Sequence, residues 1–454
     1  MSLSGALTAA ITGLDAQSAA LGAISDNVSN SQTVGYKRVE TSFSTLLTVS
    51  NALVHEPGGV KSKPLYTNDI QGSIQSTSTI TNLAVSGDGY FAVGKVVGTS
   101  AVGKAPVFAP DPLYTRAGDF NIDNNGYLVN TAGYYLQGWA VNQTTGIVQK
   151  NALTPIQVTQ LKDNPQATQN VTYSASLPTT PNPALDTNPL TPDIDFPPNS
   201  FQIYDAQGTA HTININWTKL AGAGNENRWT ATFTSTDPQI TGLTPAAAQE
   251  VDFNLADDPV TGAKAGSILS IGPVAAPVAG AVGSPASVPL TVSYAGVATP
   301  QAVTFGLGKF GIAQQTTMFT GTDITFNSAP QDGLPPGSFR NLQIDQQGFM
   351  TINYDNGNRK TVYQIPIAKF QNYNGLQSEN GNAYSTTPES GTALLSSAGG
   401  NGTGNLDASS LESSNVDIAA EFTKMIQTQQ AYGANSRVVT VTNEMFQDTN
   451  NIIR

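Results

Sequence analysis

The chain has 454 residues and a formal net charge of −12, because 32 Asp and Glu outnumber 20 Lys and Arg. With so few basic residues, a protein that binds nucleic acid by neutralising phosphates is excluded. The absence of cysteine excludes disulfides, thiolate nucleophiles and Cys-based metal sites. Charged residues make up only 11% of the chain, and it contains 43 Gly and 27 Pro, a composition typical of β domains with many turns.

Residues 2 to about 30 have the pattern of one helix. An apolar residue recurs on it every seven positions, at Leu7, Leu14, Leu21 and Val28. A narrow stripe of this kind must contact another helix, and nothing nearby in the sequence supplies one. Three glycines, Gly5, Gly13 and Gly22, also weaken the isolated helix. We therefore expect this helix to be ordered mainly when it packs against the other end of the chain, against copies of the chain, or against both.

The middle of the chain is predicted to be β structure. Three similar segments begin at Ile122, Tyr204 and Ile344, where an apolar or aromatic residue precedes Asp and Gly follows three positions later. Asp at the start of such a turn bonds to the backbone, and Gly takes the left-handed conformation. Each segment therefore predicts a tight hairpin turn.

Two stretches in the middle lack any periodicity. Residues 175–200 are rich in proline and residues 271–290 in Ala, Pro and Gly, so we expect two long surface excursions. Both fall within residues 151–325, which suggests an outer β domain inserted into another. The expected organisation is a helical polymerisation domain with a linker (1–74 and 405–454), an inner β domain (75–150 and 326–404) and the insertion (151–325).

The C-terminal helix is predicted to start near Ser414, where Ser414 and Asp417 have the spacing of a capping box, and to run to about Asn450. It carries a second heptad stripe, Ile418, Met425, Tyr432, Val439 and Phe446. The expected fold class is mainly β with helical termini. The two terminal helices would form a coiled-coil-like inner domain, and the β domains would be discontinuous with one nested insertion.

Catalytic and metal-binding patterns are weak. The chain has only two histidines, His55 and His211, and neither belongs to a nucleophile motif. Asp119 and Asp123 begin like a calcium loop, but no Gly and no closing Glu follow at the required positions. Residues 306–311 match the glycine pattern of dinucleotide-binding loops without a surrounding βαβ unit. We therefore expect no catalytic residue, no metal and no cofactor.

Residues 27–37 resemble the N-terminal signature of bacterial flagellar rod and hook proteins, with Ser29 in place of the usual Ala. The matching positions are Asn27, Asn30, Thr33, Gly35, Tyr36 and Lys37. The C-terminal signature of the same family resembles residues 411–417 and 429–435. Its matching positions in the first of these segments are Leu411, Glu412, Asn415, Val416 and Asp417.

Within this family, the middle of the chain is more similar to hook proteins than to rod proteins. Residues 84–91 and 114–120 resemble segments shared by both groups, whereas 204–211 and Trp229 resemble an insertion specific to hook proteins. Residues 365–370, followed by Gly375 and Leu376, are similar to the segment of hook proteins in which the chain re-enters the inner β domain. Residues 175–200 and 235–300 match no family pattern.

The resemblance implies a structural subunit of a helical, tubular homopolymer that bends while it transmits torque from rod to filament. Expected partners are copies of the chain, the distal rod protein, the hook cap protein, the hook–filament junction protein and the flagellar export apparatus. Export by that apparatus would place the protein outside the cell, in the flagellar hook. It would also fit the lack of a Sec-type signal and of any run of apolar residues long enough for membrane insertion.

Three alternatives remain open on the sequence. A distal rod subunit with an enlarged insertion is the nearest, and a secreted adhesin is a different class. An enzyme fits least, because the Asp and Glu residues are scattered instead of paired in a recognisable pattern. The heptad stripes also have a simpler interpretation, in which the two ends pack against each other within one chain.

Overall fold

The computed structural model describes residues 3–50, 55–99, 106–143, 145–158, 162–188, 192–274 and 276–452. The chain forms two compact units. Unit 1 contains residues 1–161, 340–353 and 359–454, and unit 2 contains residues 162–339 and 354–358. Neither described helix combines the length and the apolar character that crossing a lipid bilayer requires.

Unit 1 begins with helix α1 (Leu3–Ser29) and ends with helix α2 (Ile418–Ile452). The strands that precede unit 2 along the chain are β1 (Val39–Ser50), β2 (His55–Tyr66), β3 (Ile74–Ser76), β4 (Leu83–Ser86), β5 (Tyr90–Gly94), β6 (Val96–Thr99), β7 (Pro106–Phe108), β8 (Leu113–Thr115), β9 (Asn121–Ile122), β10 (Leu128–Val129), β11 (Tyr135–Ala140) and β12 (Thr154–Pro155).

The regular elements described in unit 2 are strands, apart from one short 3-10 helix at Pro183–Leu185. Its strands are β13 (Lys162–Asp163), β14 (Asn170–Thr172), β15 (Ser174–Pro178), β16 (Ile194–Asp195), β17 (Asn199–Tyr204), β18 (Ala210–Lys219), β19 (Arg228–Thr234), β20 (Ile240–Thr244), β21 (Gln249–Phe253), β22 (Ile268–Pro273), β23 (Val278–Ala279), β24 (Pro285–Tyr294), β25 (Gln301–Lys309), β26 (Thr316–Phe319) and β27 (Thr325–Ser328).

The chain then returns to unit 1 within strand β28 (Gly337–Ile344). The remaining strands are β29 (Phe349–Tyr354), β30 (Arg359–Gln364), β31 (Pro366–Lys369), β32 (Gln377–Glu379), β33 (Ala383–Ser385), β34 (Leu394–Ser397), β35 (Asn405–Ala408) and β36 (Ser410–Glu412). A second 3-10 helix lies at Tyr373–Gly375.

The main sheet of unit 1 has strands in the order β29-β30-β11-β5-β8-β33-β32. All five residues of β5 are buried, as expected for a central strand. Its first residue, Tyr90, packs edge-on against Phe370 and Tyr384, with ring centroids 6.3 and 5.5 Å apart. Aromatic pairs of this geometry add to the stability that area burial alone provides. They form part of the apolar core of unit 1.

One apolar core fills unit 2 between three sheets. The largest sheet runs β16-β18-β19-β21-β22-β23, the second β14-β25-β24-β20, and the third β26-β15-β27. Side chains on β18 and β24 alternate between buried and more exposed positions, which directs one face of each strand into the core. Trp217 and Trp229 are among its largest fully buried side chains.

The three predicted Asp turns are confirmed. In each, the Asp carboxylate accepts hydrogen bonds from the backbone N–H groups two and four residues later, at 2.7–3.0 Å. The glycines, Gly126, Gly208 and Gly348, have positive φ angles of 80–84°. These turns depend only on neighbouring residues, so the sequence specifies them completely.

Two predictions for the middle of the chain are wrong at their ends. The expected excursion at 175–200 begins inside strand β15, whose Ala175 and Leu177 are fully buried. The excursion at 271–290 ends inside strand β24, where Ala286 and Val288 are buried. Prolines at Pro178 and Pro285 hide the alternation of these strands.

The predicted linker after the first helix is also wrong. Strands β1 and β2 pair antiparallel from Val39–Tyr66 to Ser50–His55 and form a long hairpin. The turn signal of this segment, Pro57-Gly58-Gly59, lies inside β2 and does not mark the tip. The tip, residues 51–54, lies outside the described residues.

Candidate functional site

Helices α1 and α2 pack against each other within one chain. They run antiparallel, because Gly13 lies beside Asn435 and Asn27 donates a 3.1 Å hydrogen bond to Glu421 Oε2. An added Cβ on Gly13 would approach Asn435 Nδ2 to 2.8 Å, so a larger residue here would displace the Asn435 side chain. The buried face of α1 consists mainly of small residues, Ala10, Gly13, Ala16, Ala20, Ile24 and Asn27.

This pairing is one of the arrangements that the sequence left open, and it agrees with the expected coiled-coil-like packing of the two terminal helices. The β1–β2 hairpin is a second partner for α1, because Val60 N donates a 3.2 Å hydrogen bond to Thr12 Oγ1. Gly59 has a φ of +102°, and an added Cβ would collide with the Thr12 side chain. The face of α1 that contacts α2 consists mainly of alanine and glycine, which give no apolar stripe in a sequence. The stripe of leucines therefore predicted a different face of the helix.

The heptad residues lie beside this contact. The α1 residues Leu7, Leu14, Leu21 and Val28 are half-buried, as are Met425 and Val439 on α2. The other three α2 residues, Ile418, Tyr432 and Phe446, are exposed to 41–43%. The heptad stripes are therefore only partly covered in one copy of the chain.

Helix α2 turns further apolar residues to solvent that the heptad pattern does not include. Phe422, Ile426, Val441 and Met445 are 49%, 57%, 52% and 52% exposed. Its inward face is polar and small, with Glu421, Thr428, Ala431 and Thr442 buried or half-buried. The spacing of four residues from Ile418 to Phe422 to Ile426 is the signal in the sequence that could have identified this face. A helix whose apolar side faces outward has uncovered surface for a partner.

A buried ion-pair network joins the two ends of the chain at the base of the helix pair. Lys37 Nζ lies 2.5 Å from Glu412 Oε1, and Arg116 Nη1 lies 2.8 Å from Glu412 Oε2. Glu412 is fully buried. Its Oε1 also accepts a 2.8 Å hydrogen bond from Gly72 N, and Lys37 donates to the carbonyl of Ile70. Burial lowers the pKa of Lys37, although the neighbouring Glu412 carboxylate acts to raise it.

Asn27 forms a second node at the end of α1. Its side chain exchanges two 2.9 Å hydrogen bonds with the backbone of Val39, the first residue of β1, besides its bond to Glu421. Tyr36 Oη donates to Asn27 Oδ1 at 3.3 Å. Burial, with help from nearby Asp26 and Glu421, raises the pKa of Tyr36 to about 12. One asparagine thus connects both helices and the hairpin.

The other signature residues fix the backbone around this network. Gly35 N donates to the Glu412 carbonyl at 2.8 Å, and Asn415 Oδ1 accepts from Arg38 N at 2.8 Å. Asn30 and Thr33 bond to each other at 3.2 Å in the turn after α1. Leu411 lies in β36, paired with Gln75 of β3, and Val416 is half-buried.

Asp417 caps α2. Its carboxylate accepts hydrogen bonds from Ala419 N and Ala420 N, at 2.9 and 3.2 Å. The predicted cap at Ser414 is therefore wrong, and the helix starts at Ile418. Ser and Asp are both preferred at the N-cap of a helix. Because the backbone of residues 411–415 interacts with the β layer, the helix begins only after Asp417.

The structure offers little for catalysis in its described part. No group of three or more His, Asp or Glu side chains among the described residues is placed to hold a metal ion. The His211 ring is buried and contacts Asp237 at 2.8 Å and Asp205 at 3.3 Å. It also packs on Tyr294, with ring centroids 4.5 Å apart. This arrangement fixes a turn in unit 2. The side chain of His55 lies outside the described residues.

Family models match four parts of the chain. They are "Flagella basal body rod protein" at residues 7–37, "Flagellar hook protein FlgE/F/G D1 domain" at 84–175, "Flagellar basal body protein FlaE D2 domain" at 170–334 and "Flagellar basal body rod FlgEFG protein C-terminal" at 408–452.

Relatives match over nearly the whole length. The flagellar hook protein FlgE of Brucella suis is 31% identical over 98% of this chain and 98% of its own. FlgE of Treponema pallidum is 30% identical over 97% of both chains, and FlgE of Escherichia coli is 29% identical over 96% of both. The solved structure of Helicobacter pylori flagellar hook protein FlgE2 covers 73% of this chain and 98% of its own, at 16% identity and a TM-score of 0.47.

Proposed function

The chain belongs to the flagellar hook protein family, and from this membership we propose that it is the hook's structural subunit, which assembles with copies of itself into a flexible tube. The tube acts as a universal joint that carries motor torque from the rod to the filament. The family is structural, so the chain is not an enzyme. Its relatives are hook proteins, which does not favour the distal rod or adhesin alternatives.

One observation carries the assembly mechanism. The outer face of α2 leaves Phe422, Ile426 and Val441 about half exposed, although α2 already packs on α1. The described residues of one copy leave this face uncovered, and burying it between copies is favourable at about 25 cal/mol for each Å². We assign polymerisation to this face together with the partly covered heptad residues Leu7, Leu14, Leu21, Val28, Ile418, Met425, Tyr432, Val439 and Phe446.

The ion-pair network has a mechanical role in this proposal. Lys37, Glu412 and Arg116 join the segments after α1 and before α2 to the β layer of unit 1. Torque that enters the tube through the helices must pass through these segments to reach the β layer. A buried, charge-assisted network resists this load better than exposed pairs would. The signature residues Asn27, Gly35, Tyr36 and Asn415 support the same connection.

The finer assignments are also proposals. We assign residues 1–74 and 405–454 to polymerisation, 75–150 with 326–404 to an inner β domain, and 151–325 to an outer one. The proposed neighbours are the distal rod protein, the hook cap protein during growth and the hook–filament junction protein. The flagellar export apparatus would deliver the chain to an extracellular position in the hook.

Electron microscopy of cells that lack the gene tests the proposal. We expect flagella that end at the rod, and hooks that return when the intact gene is supplied. Normal hooks in the deletion strain would refute the function. A rod that stops before its distal end would point to the distal rod alternative, and normal flagella with lost adhesion would point to the adhesin.

A further inference from the structure

A groove of about 540 Å³ opens in unit 1 beside α1. One wall is the α1 face that carries Ala19, Gly22 and Ala23, and another is formed by Glu379, Ala383 and Tyr384 of strands β32 and β33. On this face Ala19 and Gly22 are exposed, whereas Ala16 and Ala20, on the side of α1 toward α2, are buried. The groove is therefore a second surface of α1, which adjoins the helix pair at Ala23.

Gly22 leaves a gap in the floor of this groove. Among the described residues, no atom outside the adjoining backbone of α1 lies within 4 Å of the position that a Cβ on Gly22 would occupy. Gly13, by contrast, faces the Asn435 side chain of α2. A glycine inside a helix is less favourable than alanine, and no contact among the described residues requires one at position 22. The space above Gly22 can receive a side chain from outside.

Two carboxylates stand at the rim without a cation. Asp26 lies on α1, one turn after Gly22, and Glu379 lies on the opposite wall. In the described part of the chain neither is within 4 Å of a Lys or Arg nitrogen, and Glu379 accepts only a 3.2 Å hydrogen bond from Ser385 Oγ. Lys37 also lines the groove, but its ammonium is bound to Glu412. The rim therefore favours a partner with a positive charge.

The outer face of α2 supplies the complementary features. Phe422, Ile426, Gly433, Arg437 and Val441 follow one another at spacings of a helical stripe. Arg437 is the only charged residue between Lys424 and Glu444. It is exposed, and in the described residues it has no hydrogen-bond or ion-pair partner. An unpaired arginine in an apolar stripe is a specific feature for a contact.

We propose that α2 of a second copy of the chain docks in this groove, with its Val441 above Gly22 and its Arg437 between Asp26 and Glu379. When the helices run roughly along the axis of the tube, copies related by rotation and translation about that axis keep α1 of one copy and α2 of the next antiparallel. In that orientation the register matches, because Arg437 precedes Val441 by four residues and Asp26 follows Gly22 by four. This contact rests on the proposed function and names the surface that the α2 face meets.

Disulfide trapping tests the contact, because the chain has no cysteine of its own. The full-length chain with Gly22→Cys and Val441→Cys is produced in the deletion strain. Isolated hooks are then oxidised, dissolved and run on a non-reducing gel. We expect a ladder of linked chains from hooks and single chains from soluble protein.

A disulfide within one chain does not explain such a ladder. The contacts Gly13–Asn435 and Asn27–Glu421 place Gly22 at the level of Ile426, and Val441 lies about 22 Å further along α2 at 1.5 Å per residue. The two Cα atoms of a disulfide lie within about 7 Å. The pair Gly13→Cys with Asn435→Cys is the control that links within one chain, and Gly22→Cys with Thr449→Cys is the misplaced control.

The outcomes separate the inference from the function. The docking contact is overturned if hooks with Gly22→Cys and Val441→Cys yield only single chains while the Gly13 and Asn435 control is fully linked. The proposed function stays intact in that case. If the deletion strain forms hooks without complementation, both the docking contact and the proposed function are overturned.

If the cysteine variants form no hooks, exchanging the charges of Arg437 and Glu379 tests the docking contact instead. We expect Arg437→Glu to lower the number of hooks per cell several-fold, and Glu379→Lys added to it to restore most of them. The absence of any recovery in the double variant contradicts the pairing of Arg437 with Glu379.

Discussion

Lys37 and Glu412 are 375 positions apart in the chain, yet they form an ion pair from which solvent is almost fully excluded. Arg116 shares the same carboxylate, so two cations depend on one anion. Such a pair adds little stability over an apolar replacement, but loss of one partner leaves a buried charge uncompensated. Glu412 is therefore the residue on which the junction of the two termini depends.

We expect Glu412→Gln to lower the free energy of unfolding of unit 1 by about 3–5 kcal/mol, because Lys37 and Arg116 lose their anion. Glu40→Gln is the matched control. Glu40 contacts Arg38 and Lys424 at 3.2 Å but is about one-third exposed, so we expect a loss below about 1 kcal/mol. Scanning calorimetry measures both. Equal losses for the two variants would show that the buried network has no special role.

Gly35 is expected to be irreplaceable for a steric reason. Its φ is +67°, and an added Cβ would lie 2.6 Å from both Ala117 N and Arg116 C. Gly133 has a φ of +83° with no atom within 4 Å of that position. We expect Gly133→Ala to cost about 1–2 kcal/mol for the left-handed backbone alone, and Gly35→Ala about 3–5 kcal/mol. Urea unfolding tests this, and similar midpoints for the two variants would contradict the clash.

The sequence predicts local features well. The turns at Asp123, Asp205 and Asp345 and the two terminal helices follow from residues within a few positions of one another. The fold class, mainly β with helical ends, follows from the same local patterns. The start of α2 is less certain from the sequence because Ser414 and Asp417 both suit a cap.

The sequence could not predict contacts that form between distant segments. Lys37 and Glu412 both belong to family signatures, but nothing in their spacing pairs them. The contact of α1 with α2 uses Ala16, Ala20 and Gly13, and small residues carry no helical pattern of hydrophobicity. The apolar pattern that the sequence does contain is the leucine stripe. In the structure these leucines lie beside the contact between α1 and α2.

The outer face of α2 is expected to act in assembly and to have no role in folding. We expect Ile426→Asp to change the free energy of unfolding by less than about 0.5 kcal/mol, because Ile426 is 57% exposed, and to abolish hook formation. Leu14→Asp, at a half-buried heptad position, should also block assembly while the β units stay folded. Circular dichroism and electron microscopy measure the two effects.

The control for this pair is Ala16→Asp. Ala16 is 1% exposed, so its carboxylate would be buried in the contact between α1 and α2. This variant should lose helical signal in the monomer, whereas Ile426→Asp should keep it. Normal hooks formed by Ile426→Asp would refute the assignment of the outer face.

Unit 2 should lose stability at alkaline pH through Tyr173. Burial raises its pKa to about 12, whereas a tyrosine in the unfolded chain titrates near 10. The folded state therefore keeps a proton that the unfolded state loses, and the stabilisation present below pH 10 disappears as the pH rises toward 12. Since Tyr173 is fully buried, the loss amounts to about 2–3 kcal/mol at most.

Tyr173→Phe isolates this effect. The variant also lacks the hydrogen bonds to Asn199 and Trp217, so it should be less stable at pH 9. Between pH 9 and pH 11.5 its unfolding free energy should fall less steeply than that of the natural chain. Urea unfolding followed by tryptophan fluorescence at the two pH values gives the slopes, and parallel slopes would exclude Tyr173 as the titrating group.

The free monomer should be open to proteolysis at both ends, because the contact between α1 and α2 is made largely of alanine, glycine and polar side chains. Such a contact buries little apolar area, so we expect local opening at low free energy. The sequence alone suggests that roughly the first 70 and the last 50 residues are trimmed. The structure moves the two limits to about Asn30 and Asp417, because Lys37 and Glu412 both belong to the buried junction. Mass spectrometry of the protease-resistant core locates both cuts. A core that retains α1 and α2 intact would mean that the helix pair is stable before assembly.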